Sequence, residues 1–469
     1  MQQKIHFVFQ TTQQTLDAEK VLRARGIDYL TTTLPKSIAA GCTIALILNE
    51  ESSEIALSEL MEAGQSPECV FDENWQRKKE CASAPVQEEI YLDFNSTTPV
   101  DPQVAEEMLT CLSRDFGNPS SIYSIGRTAK KAIEQARTRV AALIHAKPEE
   151  ILFTSGGTEA NTTALIGTAY ALEEKGRHII TSQIEHKSVL SCSKFLEQRG
   201  FEITHLPVSR YGIVDLDELD KAVRPDTILI SIMYANNEIG TIQPIEEIAG
   251  IARKHKTRFH TDAVQAAGKI EIDVEKFDCD LMSLSSHKIY GPKGAGALFI
   301  RNGTDLCPII FGGKQERGLR GGTENIPGIV GFGKAAQMAV DKLGEIGRLK
   351  TLRDKLYEGL LQEIPEIILN GHPEKRIPNT LNISIPGIEA EALVINLDLK
   401  GIFISAGSAC TSGTVEPSHV LTALGVGDEL AKASIRLSLG RYNTENDIQT
   451  VVTAISSIVA RLRALKSST

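Results

Sequence analysis

The chain has 469 residues, a formal net charge of −10 at pH 7 and an apolar share of 42%. Its length allows two or three domains, and its acidic balance argues against nucleic acid or an anionic membrane as the main partner. No apolar run reaches the roughly 18–20 residues of a membrane span, and no signal peptide is evident at the start. Eight cysteines without a CxxC pair favour reduced thiols over disulfides or a metal site, so a cytoplasmic protein is expected.

Residues 1–72 are predicted to form a small domain. Apolar spacing gives the order β-α-β-β-α-β, with strands at 4–9, 27–34, 43–48 and 68–71 and helices at 14–25 and 53–62. That order predicts a ferredoxin-like α+β sandwich. Cys42 follows a glycine in the loop between the second and third strands. The block resembles a small family of sulfur or selenium carrier domains with a cysteine at this position; the alternative is a small buried cysteine at the start of a strand.

The stretch 259–300 is predicted to contain three strands with a polar corner before the last one. An apolar run at 281–284 ends on Ser285, Ser286, His287 and Lys288, and Asp262 lies at the end of the preceding strand. In open α/β sheets, the carboxyl ends of the strands face one crevice, so the amine and the acid should converge. Such a pair suggests pyridoxal 5′-phosphate (PLP), whose aldehyde a lysine binds and whose ring nitrogen a carboxylate keeps protonated. The alternative is a surface lysine that follows a strand.

Three motifs decide between these interpretations: HTDAVQ at 260–265, SSHKIYGPKG at 285–294 and SAGSACTSG at 405–413. Together and in this order they resemble the class V, fold-type I PLP enzymes, and within them the cysteine desulfurases of the NifS/IscS type. The resemblance runs from about Tyr91 to Leu465. It implies an α/β fold with a large PLP-binding domain at 90–345, whose first segment packs near a small α+β domain at 346–469. Residues 73–89, charged and then small and polar, are predicted to be a linker.

The predicted cofactor site draws on several strand ends. A strand, the glycine-rich turn TSGGTEA and a helix start place Gly157 and Thr158 where a phosphate would bind. The resemblance implies the other roles: His186 stacks on the pyridine ring and can move a proton, Asn237 lies near the ring and the substrate, and Gln265 bonds the phenolic oxygen. Ser285 and His287 complete the phosphate site.

The segment 311–325 resembles the part of the family that crosses a dimer interface. This implies that Thr323 binds the phosphate of the partner subunit and that the enzyme is a homodimer. Lys314 and Gly322 stand where the family pattern has Gly and Ser.

Cys410 is the predicted sulfur acceptor. Small residues flank it on both sides, which favours an accessible, reactive thiolate. The resemblance implies that Arg436 binds the carboxylate of L-cysteine, that Lys288 moves the α-proton and that Cys410 takes the sulfur as a persulfide, leaving L-alanine. The persulfide then passes to an acceptor protein of iron–sulfur assembly, tRNA thiolation or selenium metabolism, with Cys42 as a candidate relay.

Three alternatives stay open at this point. The same site could release selenium from selenocysteine. An aminotransferase or β-lyase would use the cofactor without a persulfide, and a sulfur-relay scaffold would make catalysis subsidiary.

Overall fold

The computed structural model describes residues 4–9, 12–33, 44–73, 75–80, 89–406 and 417–467. The chain divides into two compact units, Met1–Glu89 and Ile90–Thr469. Cys42 and Cys410, the two cysteines predicted to handle sulfur, lie outside the described residues.

The first unit is a sheet with two helices. Its elements are β1 (Lys4–Val8), α1 (Thr12–Ala24), β2 (Leu30–Thr33), β3 (Ile44–Asn49), α2 (Glu50–Glu62), β4 (Cys69–Phe71) and β5 (Arg77–Glu80). The strand order is β2-β3-β1-β4-β5 and every pairing is antiparallel. The helices bury Leu22 and Leu60 in one core with Phe7 and Leu46 of the sheet. The first four strands therefore form the predicted ferredoxin-like sandwich.

The fifth strand corrects the linker prediction. Within the predicted linker at 73–89, Arg77–Glu80 pairs antiparallel with β4. A turn brings the chain back, because the Asp72 carbonyl accepts the Trp75 N–H at 3.1 Å and the Asp72 carboxylate accepts the Gln76 N–H at 2.8 Å. The Trp75 ring then stacks on His6, with 4.2 Å between ring centroids. A charged sequence suits this position, since charges on an edge strand oppose further pairing.

The second unit contains two sheets and a short strand pair. Its strands are β6 (Ile90–Tyr91), β7 (Ile151–Thr154), β8 (His178–Ser182), β9 (Glu202–Leu206), β10 (Thr227–Ser231), β11 (Arg258–Asp262), β12 (Leu281–Ser285), β13 (Gly296–Ile300), β14 (Ile368–Leu369), β15 (Thr380–Ser384), β16 (Ile402–Phe403), β17 (Ser405–Ala406) and β18 (Ser434–Ser438). Its α-helices are α3 (Pro102–Ser113), α4 (Ser124–Ala142), α5 (Gly157–Ala171), α6 (Lys187–Glu197), α7 (Leu216–Ala222), α8 (Ile245–His255), α9 (Ile326–Asp341), α10 (Ile346–Glu363), α11 (Ala390–Asp398), α12 (His419–Ala423), α13 (Asp428–Lys432) and α14 (Glu445–Ser467).

The large sheet has the order β7-β13-β12-β11-β10-β8-β9. Neighbouring strands are parallel except at β13, which is antiparallel to both of its neighbours. Five of the strands are buried along their whole length, which is typical of a parallel sheet covered on both faces. The carboxyl ends of β7, β8, β10, β11 and β12 therefore meet at one edge of the sheet.

The smaller sheet has the order β14-β15-β18-β17, with antiparallel pairing throughout. The first segment of the second unit belongs beside it, because β6 pairs with β16 and Asp93 bridges Ser438 of β18. A separate apolar core, which includes Leu92, Leu356, Ile383 and Leu437, lies behind this sheet. The fold is thus an α/β body with a large sheet and a small α+β part, as predicted.

One described helix, α14, is long and apolar enough to cross a membrane by length and composition. It packs against α10 and α11, and Val451, Ile455 and Val459 are buried in the core behind the smaller sheet. Its apolar residues are explained by this packing.

A buried ion pair anchors the segment 311–325 to the body. The guanidinium of Arg137 in α4 donates to both carboxylate oxygens of Glu316, at 2.7 and 2.9 Å, and one of them also accepts the Phe153 N–H at 2.9 Å. Glu316 has a φ of 43° and Arg317 a φ of 60°. The left-handed backbone at these two residues costs energy, which the ion pair offsets.

We predict that Glu316→Ala lowers the melting temperature of the apoenzyme, because the buried Arg137 would lose its buried carboxylate partner and keep only Glu134, which is largely exposed. The expected loss is about 3–5 kcal/mol in the free energy of unfolding. Thermal unfolding followed by circular dichroism measures it. The double variant Arg137→Met with Glu316→Leu is the control and should regain most of the loss. An unchanged melting temperature in Glu316→Ala would contradict this role.

Candidate active site

The carboxyl ends of the large sheet open into a cavity of about 340 Å³. Ten residues predicted for the site line it: Gly157, Thr158, His186, Asn237, Asp262, Gln265, Ser285, His287, Lys288 and Arg436. The large sheet, the helices that follow its strands and β18 of the smaller sheet all contribute. The cavity therefore lies between the two sheets of the second unit.

Lys288 ends a short 3-10 helix (Ser286–Lys288) that follows β12 directly. Its ammonium donates to the carbonyl oxygens of Asn95 and Ser96, at 2.6 Å each. Burial, and then the nearby Arg436, lower the pKa of Lys288 to about 8, against the opposing effect of Asp93 and Asp262. Near neutral pH a far larger share of this amine is therefore uncharged than in an ordinary lysine, so that it can act as a nucleophile or base.

Asp262 is the last residue of β11 and is 5% exposed. One carboxylate oxygen accepts a hydrogen bond from the Asn161 amide at 2.7 Å, and the other accepts the Val264 N–H at 3.0 Å. These two donors fix the carboxylate at the wall of the cavity. A buried carboxylate so placed can bind a protonated ring nitrogen.

A hydrogen-bonded chain joins Asp262 to His186. The Asn161 amide that donates to Asp262 also donates to the Ser188 hydroxyl at 2.9 Å, and that hydroxyl lies 2.7 Å from His186 Nδ1. The Ser188 N–H donates to the same Nδ1 at 3.2 Å. A backbone N–H can only donate, so Nδ1 is the acceptor and the imidazole proton sits on Nε2. Burial lowers the pKa of His186, which favours this neutral form.

The phosphate-binding corner is formed by the start of α5 and the end of β12. A Cβ atom added to Gly157 would lie 2.7 Å from Val264 Cγ2 and 3.5 Å from Ser285 Cβ, so the glycine permits the close approach. The first N–H groups of a helix have no intrahelical partner. Ser285 Oγ is also buried without a hydrogen-bond partner among the described residues. Amide donors and an unpaired hydroxyl at one point fit a phosphate.

His287 also lines the cavity, with its Nδ1 3.1 Å from the Thr97 hydroxyl. Burial, and then Lys288, lower the pKa of His287 to about 4. The imidazole is therefore neutral at physiological pH.

Arg436 is held in place before any ligand binds. Its guanidinium donates to the Asp93 carboxylate at 2.6 Å and to the Ser96 hydroxyl at 2.7 Å. A further bond reaches the Asn237 carbonyl at 3.0 Å. Its Nε is buried and has no partner among the described residues. A guanidinium that is fixed in place and has an unused N–H donor can bind the carboxylate of an amino acid.

The sequence did not single out several residues that hold the site together: Asp93, Asn95, Ser96, Asn161, Ser188 and Lys269. The first three belong to the segment YLDFNSTTP at 91–99. Asn161 lies in the second turn of α5, and Ser188 lies in the first turn of α6, where polar residues often serve as caps. Their part in holding the site together is visible only from their contacts with residues far away in the sequence.

Three predicted residues are not among those lining the cavity. Thr323 is exposed and lies outside the described lining. Cys410 and Cys42 are outside the described residues. The described residues that flank Cys410 in the sequence are Ala406, at the end of β17, and Pro417.

The residues present fit PLP. An amine of lowered pKa, a buried carboxylate, an imidazole and a phosphate corner with an unpaired hydroxyl all face one cavity. PLP needs each of these partners.

Comparison with protein families agrees with this geometry. Residues 90–451 match the family model described as Aminotransferase class-V. Residues 4–71 match the one described as "Putative Se/S carrier protein-like".

Curated relatives cover most of the second unit. The chain is 54% identical over 381 residues to a cysteine desulfurase IscS of Methanosarcina thermophila, which covers 81% of this chain and 94% of that protein. It is 50% identical to a cysteine desulfurase IscS of Dictyoglomus turgidum, over 81% of this chain and 97% of that protein.

Solved structures give the same result. A NifS-like protein superposes with a TM-score of 0.75 at 42% identity, over 79% of this chain and 99% of that one. A NifS-like protein of Rickettsia africae gives a TM-score of 0.71 at 36% identity, over 79% and 99% of the two chains. The predicted fold class and family are confirmed: this chain belongs to the class-V aminotransferases and, within them, to the PLP-dependent cysteine desulfurases.

Proposed function

We propose that this cysteine desulfurase moves the sulfur of L-cysteine onto the thiol of Cys410 and releases L-alanine. The observation that carries the proposal is the convergence of Lys288, Asp262 and Arg436 on one cavity. Among the predicted alternatives, the relatives favour desulfuration of cysteine over a β-lyase, a transaminase or a selenocysteine lyase.

Each residue of the cavity has a separate proposed role. Bound PLP supplies an electron sink for charge that develops at the substrate α-carbon. Arg436 binds the substrate carboxylate and so orients the α-carbon. Lys288, as the free amine, takes the α-proton at Nζ. Asp262 holds a proton on the ring nitrogen, and His186 presents its Nε2–H to the cavity.

The sulfur step needs a thiolate. Cys410 Sγ attacks the substrate sulfur, an S–S bond forms and the Cβ–S bond breaks. The electron pair of the broken bond stays on Cβ, which takes up a proton and becomes a methyl group, and Lys288 returns its proton to the α-carbon to complete L-alanine. Cys410 keeps the sulfur as a persulfide, so that no external oxidant or reductant is consumed.

Chain length supports Cys410 as this thiol. Ser405 of β17 is directly opposite Arg436 in the smaller sheet. Cys410 follows Ala406 by four residues, which sets a maximum reach of about 14 Å. On the far side, the Ser418 hydroxyl contacts the Glu238 carboxylate, and His419 Nε2 lies 3.0 Å from the Glu185 carbonyl. Both described ends of the segment are thus attached beside the cavity.

We further propose that the first unit receives this sulfur on Cys42. The match of residues 4–71 to a carrier-like family supports it. Tethering two thiols on one chain raises their effective concentration to the order of mM. The final acceptor would be a protein of iron–sulfur assembly, tRNA thiolation or selenium metabolism.

We also propose a homodimer in the cytoplasm. Large apolar side chains are exposed near the start of the second unit and on the segment that carries Thr323: Leu109, Leu112, Phe116, Ile122, Tyr123 and Phe311. Phe311 is 84% exposed and Ile122 88%, which is costly unless another surface covers them. A second copy that covers them could place Thr323 on the neighbouring phosphate. Among the described residues, Cys111, Cys192, Cys279 and Cys307 form no disulfide, which supports a reducing compartment.

The pH dependence of cofactor loading tests the state of Lys288. The rate of PLP incorporation into apoenzyme should rise with pH and level off above about 8, because only the neutral amine reacts. Stopped-flow absorbance measures the rate. In Arg436→Gln the midpoint should move to higher pH, since a neighbouring cation is lost. A wild-type midpoint near the ordinary lysine value of 10.5 would contradict the lowered pKa.

Sulfur transfer is tested in a single turnover with cysteine, followed by proteolysis between the two units and mass spectrometry of both. Cys410→Ser should bind PLP and substrate normally but lose alanine formation by more than about a hundredfold, because only the attack on sulfur needs the thiolate. Near-normal alanine formation in this variant would favour a β-lyase.

The same experiment tests the relay. The wild-type enzyme should carry the added sulfur on the first unit, and Cys42→Ala should retain it on the second. If Cys42→Ala delivers sulfur to an acceptor as well as the wild type does, the relay is wrong and the first unit is better explained as a docking module.

Mixed dimers test whether the sites are shared. Lys288→Ala and Thr323→Glu should each be inactive alone, the latter because a carboxylate repels the phosphate. If Thr323 acts on the partner, random mixing should restore about a quarter of wild-type activity, since half of the dimers then have one intact site. Activity that stays at zero after mixing, or an active monomer in light scattering, would rule out the shared site.

A further inference from the structure

Lys269 is a buried lysine that the reaction described above does not use. It is 8% exposed, and burial, followed by Lys288 and Arg436, holds its pKa well below that of an ordinary lysine. It does not line the cofactor cavity but a separate cavity of about 60 Å³ behind it. Burial of an amine is costly unless its hydrogen bonds are satisfied.

The ammonium has two acceptors. It donates to Gln265 Oε1 at 2.6 Å and to Asn95 Oδ1 at 3.1 Å. Gln265 also lines the cofactor cavity, so Lys269 reaches the cofactor site through this side chain.

These contacts fix which way the Gln265 amide faces. A primary amide has an acceptor end and a donor end, and Gln265 Oε1 can only accept from Lys269. At the other end, Gln265 Nε2 donates to the Asn95 carbonyl at 2.9 Å. Both partners therefore require the same orientation. The second hydrogen on Nε2 is left for a ligand in the cavity.

We propose that Lys269 is a positioning residue that holds the Gln265 amide with its N–H toward the phenolic oxygen of PLP. This rests on the assignment of Gln265 to that oxygen under the proposed function. A donor at a phenolic oxygen stabilises its ionised form and lowers the pH at which the bound cofactor loses its proton. Without Lys269, only the Asn95 carbonyl would hold this orientation, so the amide would present its N–H to the phenolic oxygen less firmly and the ionised form would be disfavoured.

The charge of Lys269 could also act directly on the titration midpoint of the cofactor, independently of the orientation of the Gln265 amide. The cations nearest to Lys269 are Lys288 and Arg436. The carboxylates of Asp93 and Asp262 act on Lys288, and further charged residues line the second cavity, namely Lys342, Glu345, Arg348 and Arg441. Loss of a cation alone would also raise the titration midpoint of the cofactor. Only coupling to Gln265 distinguishes the two causes.

The experiment is a pH titration of the visible absorption of PLP bound to the full-length enzyme. In Lys269→Met the midpoint should rise by about one pH unit, and Gln265→Leu should shift it in the same direction. The double variant should shift no further than Gln265→Leu, because Lys269 acts through that amide. Lys342→Met removes a lysine from the same second cavity and should leave the midpoint unchanged. If Lys269→Met retains too little PLP, Lys269→Gln replaces it; its shorter side chain leaves Gln265 Oε1 without its donor, and the same rise is expected.

The outcomes separate the proposals. A wild-type midpoint in Lys269→Met alongside a shift in Gln265→Leu overturns the role of Lys269 and leaves the Gln265 assignment standing. Additive shifts in the double variant also overturn it, because they indicate a direct charge effect. A wild-type midpoint in Gln265→Leu overturns the Gln265 assignment itself, while desulfuration by Cys410 is tested separately.

Discussion

The geometry of the cavity depends on Asn95, which is 2% exposed and hydrogen-bonded at every polar group. Its carbonyl accepts from Lys288 and Gln265, and its side-chain oxygen accepts from Lys269 and Asn379. Its amide nitrogens donate to Thr380, to the Asn237 carbonyl and to Ser438. Thr380 and Ser438 belong to the smaller sheet, whereas Lys288 and Gln265 follow strands of the large one. One residue therefore links Lys288, which follows a strand of the large sheet, to β18 of the smaller sheet, which carries Arg436. Fully satisfied buried networks of this kind rigidify a site.

The charges around the cavity are separated into two groups. Lys269, Lys288 and Arg436 lie together, with Asp93 as the carboxylate that binds Arg436. Burial, and then the neighbouring cations, lower the pKa of both lysines, which raises the share of neutral amine that a base or a nucleophile requires. On the other side, Asp262 is stabilised by Asn161, and the same amide leads through Ser188 to a neutral His186. The protein thus maintains an anion and a neutral imidazole within one hydrogen-bonded chain.

Much of this was predictable from sequence, for identifiable reasons. The strand β12 contains the apolar run 281–284, and the polar residues that follow this run have no packing value, so their place at the sheet edge could be predicted. The partners that hold them could not. Asn161 and Asp262 are 101 residues apart, and Lys269 and Asn95 are 174 apart; neither pair has a local pattern. The strand β5 was missed because its charged sequence lacks the alternation of a half-buried strand, and its pairing depends on a turn stabilised by the contact of Trp75 with His6.

The proposed sulfur acceptor, Cys410, differs from the groups on the walls of the cavity in what its chemistry requires. Lys288, Asp262 and Arg436 are fixed by hydrogen bonds, which suits proton transfer over short, constant distances. A thiol that must take sulfur inside the cavity and give it up elsewhere cannot be held in this way. The chain resolves the conflict by attaching the two described ends of the segment, Ala406 beside the strand of Arg436 and Ser418 at Glu238. The proposed sulfur acceptor, Cys410, is four residues from Ala406, which limits its distance from this attached end to about 14 Å.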